Sequence, residues 1–311
     1  YNQQVKLEKF LADYENGMDI GLGEYDPPPV QISHNPPLDL ESRIKMAKQL
    51  LKWYHRGYLM GPYLASDPIV ETCSINPVFC VPKPDGSVRP VVNYSKRIQG
   101  SSLNELLDPE ICTVEYLQIR EIVYTIKSMG RDVYMWAKDL EDGYFNIKIK
   151  ERQCKQIAFK FEDLIFIPMV LVFGLSSAPL IFTIFMWYVV MAIRFANSDL
   201  MWAKLPTSEF DRSVFQTDAS IYEQDGYTTF PLVTYYLDDI FGFHYKHQVW
   251  QQYNLAGETL ITLGLSTKEA KDRPPATTQR LLGLEYDSIL MEVRTPLDKV
   301  EKYSKFAKSL M

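Results

Sequence analysis

Apolar residues recur every three or four positions in several stretches of the chain, which is the spacing of one face of an α-helix. Shorter runs rich in β-branched and aromatic residues lie between those stretches and are typical of β-strands. The pattern predicts helices over residues 5–11, 40–57, 113–130, 177–195, 249–263 and 297–311. It predicts strands over residues 76–82, 88–94, 133–140, 146–150, 157–161, 164–172, 234–237, 240–243 and 281–286. Helices and strands mixed in this order indicate an α+β protein.

One hairpin is expected where Pro84-Asp85-Gly86 separates two β-prone runs, because Asp-Gly between apolar runs is a strong hairpin signal. The turn places Lys83 and Arg89 on either side of its tip. Two cations on such a hairpin are suited to gripping a polyphosphate. The alternative is a pair of ordinary charged residues on an exposed turn, and this stretch alone favours that alternative.

A second hairpin is expected around Asp238 and Asp239, which lie between two short apolar and aromatic runs. Adjacent ionised carboxylates repel each other, so an arrangement that keeps both charged needs a cation beside them. An isolated Asp-Asp pair is also typical of a solvated turn. A third carboxylate, Asp139, ends the predicted strand 133–140 and strengthens the cation hypothesis.

Composition narrows the function classes. Four cysteines, none in a CxxC pair, indicate neither a disulfide scaffold nor a zinc cluster and favour a reducing, intracellular setting. The polar N-terminus lacks the pattern of a signal peptide. A net charge of −6 argues against a protein that coats nucleic acid without discrimination. Residues 41–100 nevertheless carry nine basic and four acidic side chains, a local charge of +5.

Residues 164–193 contain no formally charged side chain, but Pro168, Gly174 and Pro179 interrupt this apolar stretch. The longest unbroken apolar piece, 180–193, is shorter than the roughly 18 to 20 residues that a membrane span needs. A buried strand, a loop and a core helix are therefore expected, with no membrane partner. Gly174 in the loop would let the backbone approach a ligand closely.

Two stretches are expected to lie outside the packed elements. The proline clusters at 27–29 and 36–37 predict an extended N-terminal arm over residues 1–40. Residues 197–230 are polar and without clear periodicity, which predicts an irregular surface insertion.

Five motifs follow one another in a fixed order: VPKPDGSVRP at 81–90, KDLEDGYF at 138–145, FGLSSAPLIF at 173–182, YLDD at 236–239 and LG at 282–283. In this order they resemble the motifs of reverse transcriptases, over roughly residues 40–311. The form of the third motif and GSSLNE at 100–105 are similar to retrotransposons of the tyrosine-recombinase type. Asn93 departs from the family's usual Asp, and the segment between the third and fourth motifs is longer than is typical.

The resemblance implies a right-hand polymerase fold, with an antiparallel palm sheet backed by helices, fingers and the start of a thumb. The implied divisions are an arm at 1–40, mainly fingers at 41–132, palm at 133–290 and the start of the thumb at 291–311. Fingers strands at about 150–172 and the insertion at 197–230 interrupt the palm.

The resemblance also implies an RNA-directed DNA polymerase. Its catalytic site would consist of Asp139, Asp238 and Asp239 holding two Mg²⁺ ions, with Mn²⁺ as an alternative, since hard cations take carboxylate oxygens. Lys271, or else Lys268, would protonate the leaving pyrophosphate.

Nucleotide binding would fall to Lys83, Arg89, Tyr144, Phe173 and Gly174. The implied partners are dNTPs, an RNA or DNA template with its primer, and further domains or a subunit that complete the thumb. The alternatives are an inactive scaffold of the same fold, or an RNA-dependent RNA polymerase, which would carry a small or acidic residue in place of Tyr144.

Overall fold

A computed structural model describes residues 2–30, 34–97, 100–215 and 220–309. The α-helices are α1 (Asn2–Asn16), α2 (Leu40–His55), α3 (Leu103–Leu106), α4 (Ile119–Met129), α5 (Glu151–Cys154), α6 (Ala178–Ala196), α7 (Ser198–Met201), α8 (Val249–Thr262) and α9 (Leu297–Ser309). The strands are β1 (Leu59–Tyr63), β2 (Asn76–Pro82), β3 (Val88–Val92), β4 (Val133–Asp139), β5 (Phe159–Phe161), β6 (Leu164–Pro168), β7 (Trp202–Pro206), β8 (Tyr222–Gln224), β9 (Tyr227–Pro231), β10 (Val233–Tyr236), β11 (Asp239–Tyr245), β12 (Arg273–Ala276), β13 (Thr278–Leu281), β14 (Leu284–Asp287) and β15 (Glu292–Arg294).

The chain divides into two compact units: unit 1 comprises Tyr1–Val114 and Asp142–Phe182, and unit 2 comprises Glu115–Glu141 and Thr183–Met311. Unit 1 contains a five-stranded sheet in the order β1-β6-β5-β2-β3. Strands β2 and β3 form the hairpin expected from Asp85-Gly86, and Gly86 adopts a φ of +77°. The hairpin prediction is therefore confirmed.

The extended N-terminal arm was predicted to lie outside the packed elements, and this prediction is wrong for its central part. Ile20 is fully buried, and its backbone N–H donates to Oε1 of Gln153 at 2.9 Å. Met18 forms an isolated β-bridge with Ile149. The Ile75 N–H donates to the Val30 carbonyl at 2.7 Å. Prolines keep this stretch extended, but its apolar side chains and backbone groups still find partners within unit 1. Residues 31–33 of the arm lie outside the described part of the chain.

Unit 2 is built on an antiparallel sheet in the order β10-β11-β4-β12. Helix α4 packs Ile122 and Ile126 into a core that includes Val133 and Phe241 from the sheet. Helix α8 also backs the sheet, through a 2.8 Å hydrogen bond that the Trp136 indole N–H donates to Oε1 of the buried Gln252. The predicted antiparallel palm sheet with backing helices is confirmed.

Helix α4 lies in unit 2. It begins at Ile119, six residues later than the apolar pattern indicates. The Glu121 carboxylate accepts the Gln118 N–H at 3.0 Å in a capping box, which defines the helix start.

The insertion at 197–230 was predicted to be irregular, and it contains a three-stranded antiparallel sheet in the order β7-β9-β8. Phe210, Phe215, Ile221 and Phe230 form a buried cluster with Leu232. Asp225 and Gly226 connect β8 to β9 with φ angles of +52° and +79°. The first hairpin has the same Asp-Gly turn signal. The polar residues around Asp225 and Gly226 led to the prediction of an irregular segment instead. Residues 216–219 lie outside the described part.

Two predicted strands differ in detail. Residues 146–150 form isolated bridges through Lys148 and Ile149 rather than a strand. The strand predicted over 281–286 is a hairpin, because Leu282 and Gly283 both take positive φ and join β13 to β14.

Helix α6 is long and apolar enough to cross a membrane by length and composition, and half of its most apolar window is buried inside the protein. A core helix has the same character.

Candidate active site

The three predicted acidic residues lie at one end of the palm sheet in unit 2. Strand β11 pairs with β4 so that Asp239 is directly opposite Asp139. Tyr236 pairs with Asp239 across the β10–β11 hairpin, which leaves Leu237 and Asp238 in the turn. The Asp238 carbonyl accepts the Leu140 N–H at 2.8 Å, so the turn is tied to the end of β4. The structure thus brings together the carboxylates that the sequence places about 100 residues apart.

The register that aligns these carboxylates depends on a glycine in β11. Gly242 lies opposite Trp136 of β4, and a Cβ atom at Gly242 would lie 2.0 Å from Cε2 of the indole. A one-residue slip of β11 would place a side chain against this ring and would turn Asp239 to the opposite face of the sheet. The buried Trp136 and Gly242 therefore pin the register.

The carboxylates are crowded and partly withdrawn from water. Only 7% of Asp139 is exposed. Burial raises the pKa of Asp238, and the charge of Asp139 adds to the effect. Burial, followed by the charge of Asp238, raises the pKa of Asp239 to about 6. The charge of Asp139 therefore disfavours ionisation of Asp238, and the charge of Asp238 disfavours ionisation of Asp239, as expected of a site that gains from a bound cation.

Two ammonium groups face Asp139 from the loop before β12. Lys271 Nζ donates to Asp139 Oδ2 at 2.7 Å, and Lys268 Nζ lies 3.2 Å from Oδ1. Oδ1 is nevertheless buried without a partner in hydrogen-bonding geometry, because the Lys268 contact satisfies distance alone. Burial alone would lower the pKa of Lys271, but its bond to Asp139 and the nearby carboxylates outweigh burial and raise it. Both candidate proton donors therefore lie at the carboxylate site.

The donor set fits a hard divalent cation. It consists of carboxylate oxygens, one of which is buried and lacks a hydrogen-bond partner, and no softer ligand is needed. Within residues 2–30, 34–97, 100–215 and 220–309, no group of three or more acidic, His or Cys side chains is already arranged to hold a metal ion. In the present arrangement the ammonium groups of Lys271 and Lys268 balance the charge of Asp139.

The predicted nucleotide-binding residues lie in unit 1, and three of them form one cluster. The guanidinium carbon of Arg89 lies 4.6 Å from the ring centroid of Phe173. The Phe173 ring is 5.1 Å from the ring of Tyr144, which meets Phe182 edge to face at 5.1 Å. Lys83 lies at the hairpin tip, where its backbone N–H donates to the Ser87 carbonyl at 2.9 Å.

Tyr144 and Phe145 have different environments. Tyr144 is half-buried, whereas Phe145 is buried and packs against Trp53 and Tyr58 at 4.8 and 5.0 Å. The two residues lie in a 3₁₀ turn, Gly143–Asn146, rather than on an extended chain. The turn itself therefore separates the two rings.

Gly174 has a structural reason to be glycine. Its φ is +118°, and a Cβ atom at this position would lie 1.9 Å from the Val92 carbonyl oxygen. The close approach of Gly174 to β3 therefore requires a glycine whether or not a ligand binds. Contact between Gly174 and a ligand stays a prediction.

Sequence reasoning missed two residues beside the carboxylates, Lys138 and Asp272. Their side chains form an ion pair at 3.2 Å and are 8% and 11% exposed. Lys138 precedes Asp139 directly, and Asp272 follows Lys271 directly. Their positions next to candidate residues could have drawn attention to them. The sequence does not show that the two side chains form an ion pair.

Comparison with known proteins bears on this geometry. A family model described as reverse transcriptase (RNA-dependent DNA polymerase) matches residues 81–285. A comparison with curated proteins finds no match.

The solved structures that resemble the chain include foamy viral protease-reverse transcriptases. One in complex with an RNA/DNA hybrid has a TM-score of 0.62 at 14% identity, covering 97% of this chain and 35% of that chain. Another, in complex with double-stranded DNA, has a TM-score of 0.60 at 15% identity, covering 93% and 43%. The native prototype foamy virus enzyme has a TM-score of 0.57 at 19% identity, covering 92% and 33%. The likeness at these identities shows the fold, and the chain spans less than half the length of these three proteins.

The family model covers 205 of the 311 residues, from the first hairpin through the carboxylate strands to β14. This chain therefore belongs to the reverse transcriptase family.

Proposed function

We propose that this chain is an RNA-directed DNA polymerase that extends a primer with dNTPs. The observation that carries the proposal is the register of β4 and β11, which sets Asp139 opposite Asp239 beside the turn that holds Asp238. Three carboxylates at one end of a palm sheet, in a member of this family, support divalent-cation chemistry on a triphosphate.

Asp139, Asp238 and Asp239 would hold two Mg²⁺ ions, or Mn²⁺ in their place. When bound, the ions would activate the primer 3′-hydroxyl and neutralise charge that develops on the triphosphate. Lys271 would donate a proton to the leaving pyrophosphate. Its ammonium group lies 2.7 Å from Asp139 Oδ2, and this position supports the role, because a general acid must lie within reach of the group that it protonates.

Nucleotide binding would fall to Arg89, Phe173 and Tyr144, which form one cluster. Arg89 and Lys83 would bind phosphate oxygens, Arg89 with its bidentate fork. The Tyr144 ring, supported by Phe173 and Phe182, would exclude a 2′-hydroxyl and so select deoxyribonucleotides. The template with its primer would be RNA or DNA, as the nucleic acids in the foamy viral complexes suggest.

Primer extension tests the proposal directly. We expect the full chain to extend a DNA primer on a heteropolymeric RNA template with dNTPs and Mg²⁺. Asp139→Asn and Asp238→Asn should each reduce extension more than about tenfold while the template-primer still binds, because the amide keeps the shape and loses the charge. Asp163→Asn is a matched control, since the Asp163 side chain is 98% exposed.

One observation favours the alternative of an inactive scaffold. The Asp139 carboxylate is already paired with two ammonium groups, which would suit a carboxylate that never binds metal. A folded chain that binds the template-primer and incorporates no nucleotide with Mg²⁺ or Mn²⁺ would establish the scaffold and refute the polymerase. Extension that persists in Asp139→Asn above about a tenth of wild type would refute the assignment of the carboxylates.

A further inference from the structure

We propose that Asp272 is a positioning residue for nucleotide addition, which holds the lysine loop (residues 266–272) against the strand end that carries Asp139. This inference rests on the proposed polymerase function and extends it to two residues, Lys138 and Asp272, to which the motifs give no role. Its basis is the buried ion pair between Lys138 and Asp272, which are the chain neighbours of Asp139 and Lys271.

The first observation is the burial of the Lys138 ammonium group. Lys138 Nζ lies 3.7 Å from the ring centroid of Tyr253 in helix α8, and the residue is 7% exposed. A buried ammonium group is costly unless an opposite charge accompanies it. Asp272 Oδ2 supplies that charge at 3.2 Å.

The second observation is that the Asp272 carboxylate also binds both segments that it joins. Oδ2 accepts the Thr267 hydroxyl at 2.9 Å, within the lysine loop. Oδ1 accepts the backbone N–H of Asp139 at 3.4 Å, at the end of β4. One carboxylate therefore links the loop, the strand end and the buried cation.

The third observation is that the lysine loop is bound along the strand end on both sides of this carboxylate. Lys268 N–H donates to the Asp139 carbonyl at 2.8 Å, and Glu141 N–H donates to the Ser266 carbonyl at 2.8 Å. The Asp272 N–H donates back to the Lys268 carbonyl at 3.2 Å. The loop thus has a defined position relative to Asp139.

These contacts explain why two ammonium groups converge on one carboxylate. Lys268 and Lys271 are three residues apart around the 3₁₀ turn Glu269–Lys271, and side chains at that spacing lie on the same side of such a turn. Asp272 follows the turn and fixes its end. Removal of the Asp272 acceptor groups would release the turn, so that Lys271 would no longer be held at the reacting phosphates that Asp139 positions.

Two roles for the Lys138–Asp272 pair have to be separated. If the pair serves only folding, its replacement by apolar residues of similar volume should leave turnover intact, since such replacement of a buried pair is often neutral for stability. If Asp272 positions the loop, the same replacement should preserve folding and lower kcat. The decisive variants are therefore Lys138→Met with Asp272→Leu, and Lys138→Met with Asp272→Asn.

We expect Lys138→Met/Asp272→Leu to remain folded with a Tm below that of wild type, because the Thr267 hydroxyl and the Asp139 N–H lose their acceptor. The variant should lose at least about tenfold in kcat, because a general acid contributes on the order of 100-fold or more. The KM for dNTP and the Kd for template-primer should stay within about twofold, because the loss concerns the reacting step. Lys138→Met/Asp272→Asn keeps one acceptor oxygen for the Asp139 N–H, and its NH₂ group can donate to the Thr267 hydroxyl oxygen. This variant should recover kcat to within about threefold of wild type.

The matched control is Arg212→Met/Glu223→Leu, which removes an exposed pair at 3.7 Å in unit 2 and should leave kcat unchanged. A wild-type kcat in Lys138→Met/Asp272→Leu would overturn the proposal. If Lys138→Met/Asp272→Leu does not fold, Thr267→Val tests the proposal in its place, because it removes only one hydrogen bond to Asp272. Thr267→Val should lower kcat with little change in Tm. An unchanged kcat in Thr267→Val would then overturn it. An inactive wild-type chain refutes the proposed function instead, so the two failures are distinguishable.

Discussion

Asp239→Asn should stabilise the metal-free protein at neutral pH. Burial and the neighbouring Asp238 raise the pKa of Asp239 from 3.8 to about 6. At neutral pH the folded protein therefore carries an ionised carboxylate in an environment that disfavours it. The isosteric amide removes this charge, and the register of β11 against β4 does not depend on it.

The sign follows from proton binding. The unfolded chain releases the Asp239 proton near pH 3.8, whereas the folded chain keeps it until about pH 6. The folded state thus binds more protons between these values, and its stability falls as pH rises through that window. The amide introduced by Asp239→Asn does not titrate, so the stability difference between variant and wild type is absent well below pH 3.8 and complete above pH 6.

The magnitude follows from the two pKa values. A rise from 3.8 to about 6 corresponds to roughly 3 kcal/mol of unfolding free energy at pH 7.5. At pH 4.5 the same two values leave about a third of that difference. With about 2.1 cal/mol/K per residue, 311 residues unfold with an entropy of about 0.65 kcal/mol/K. The expected gain in Tm at pH 7.5 is therefore about 5 °C.

Thermal unfolding in chelator-treated buffer at pH 7.5 and pH 4.5 measures the effect, with the exposed Asp163→Asn as control. Addition of Mg²⁺ at pH 7.5 should narrow the difference, because a cation that binds the folded wild type stabilises it by mass action. A variant that is less stable than wild type at pH 7.5 without metal would refute the reasoning. A difference of equal size at both pH values would refute it as well.

Three further changes test other parts of the molecule. Tyr144→Val should raise ribonucleotide over deoxyribonucleotide incorporation by roughly 10 to 200-fold in kcat/KM, measured for both nucleotides on one template-primer; an unchanged ratio removes Tyr144 from the sugar pocket. Gly242→Ala should lower Tm sharply or prevent folding, since its Cβ would lie 2.0 Å from Cε2 of Trp136. Gly257→Ala is its control, because its Cβ would meet only Lys138 at 3.5 Å and alanine favours a helix by about 1 kcal/mol; equal Tm values for the two variants would contradict the register argument. Replacement of residues 197–230 by a Gly-Ser linker should spare turnover on a minimal template-primer but lower Tm, since the insertion buries an aromatic cluster against Leu232. Loss of turnover in a folded variant would place the insertion in the active site or in a partner interface.

The carboxylate hairpin and the first hairpin were accessible from sequence because each depends on neighbours in the chain. Asp85-Gly86 and Asp238-Asp239 sit between apolar runs, and local turn preferences and period-two alternation suffice to locate both. The resemblance of the motifs to those of the family also predicted Asp139 at the same site. The prediction for the insertion was wrong although its Asp225-Gly226 turn carries the same local signal. The turn lies within a polar stretch, and the phenylalanines of the buried cluster, Phe210, Phe215 and Phe230, do not follow a helix or strand period.

The sequence by itself determined the order of the motifs, the elements that carry them and the identity of the three carboxylates. Only the tertiary structure decided which charges meet. Lys138 and Asp272 are 134 residues apart, and Lys271 reaches Asp139 across 132 residues. Pairings of this kind depend on strand register and burial, and on the high cost of an unpaired charge inside the protein. Periodicity and turn chemistry act over a few residues and carry no information about them.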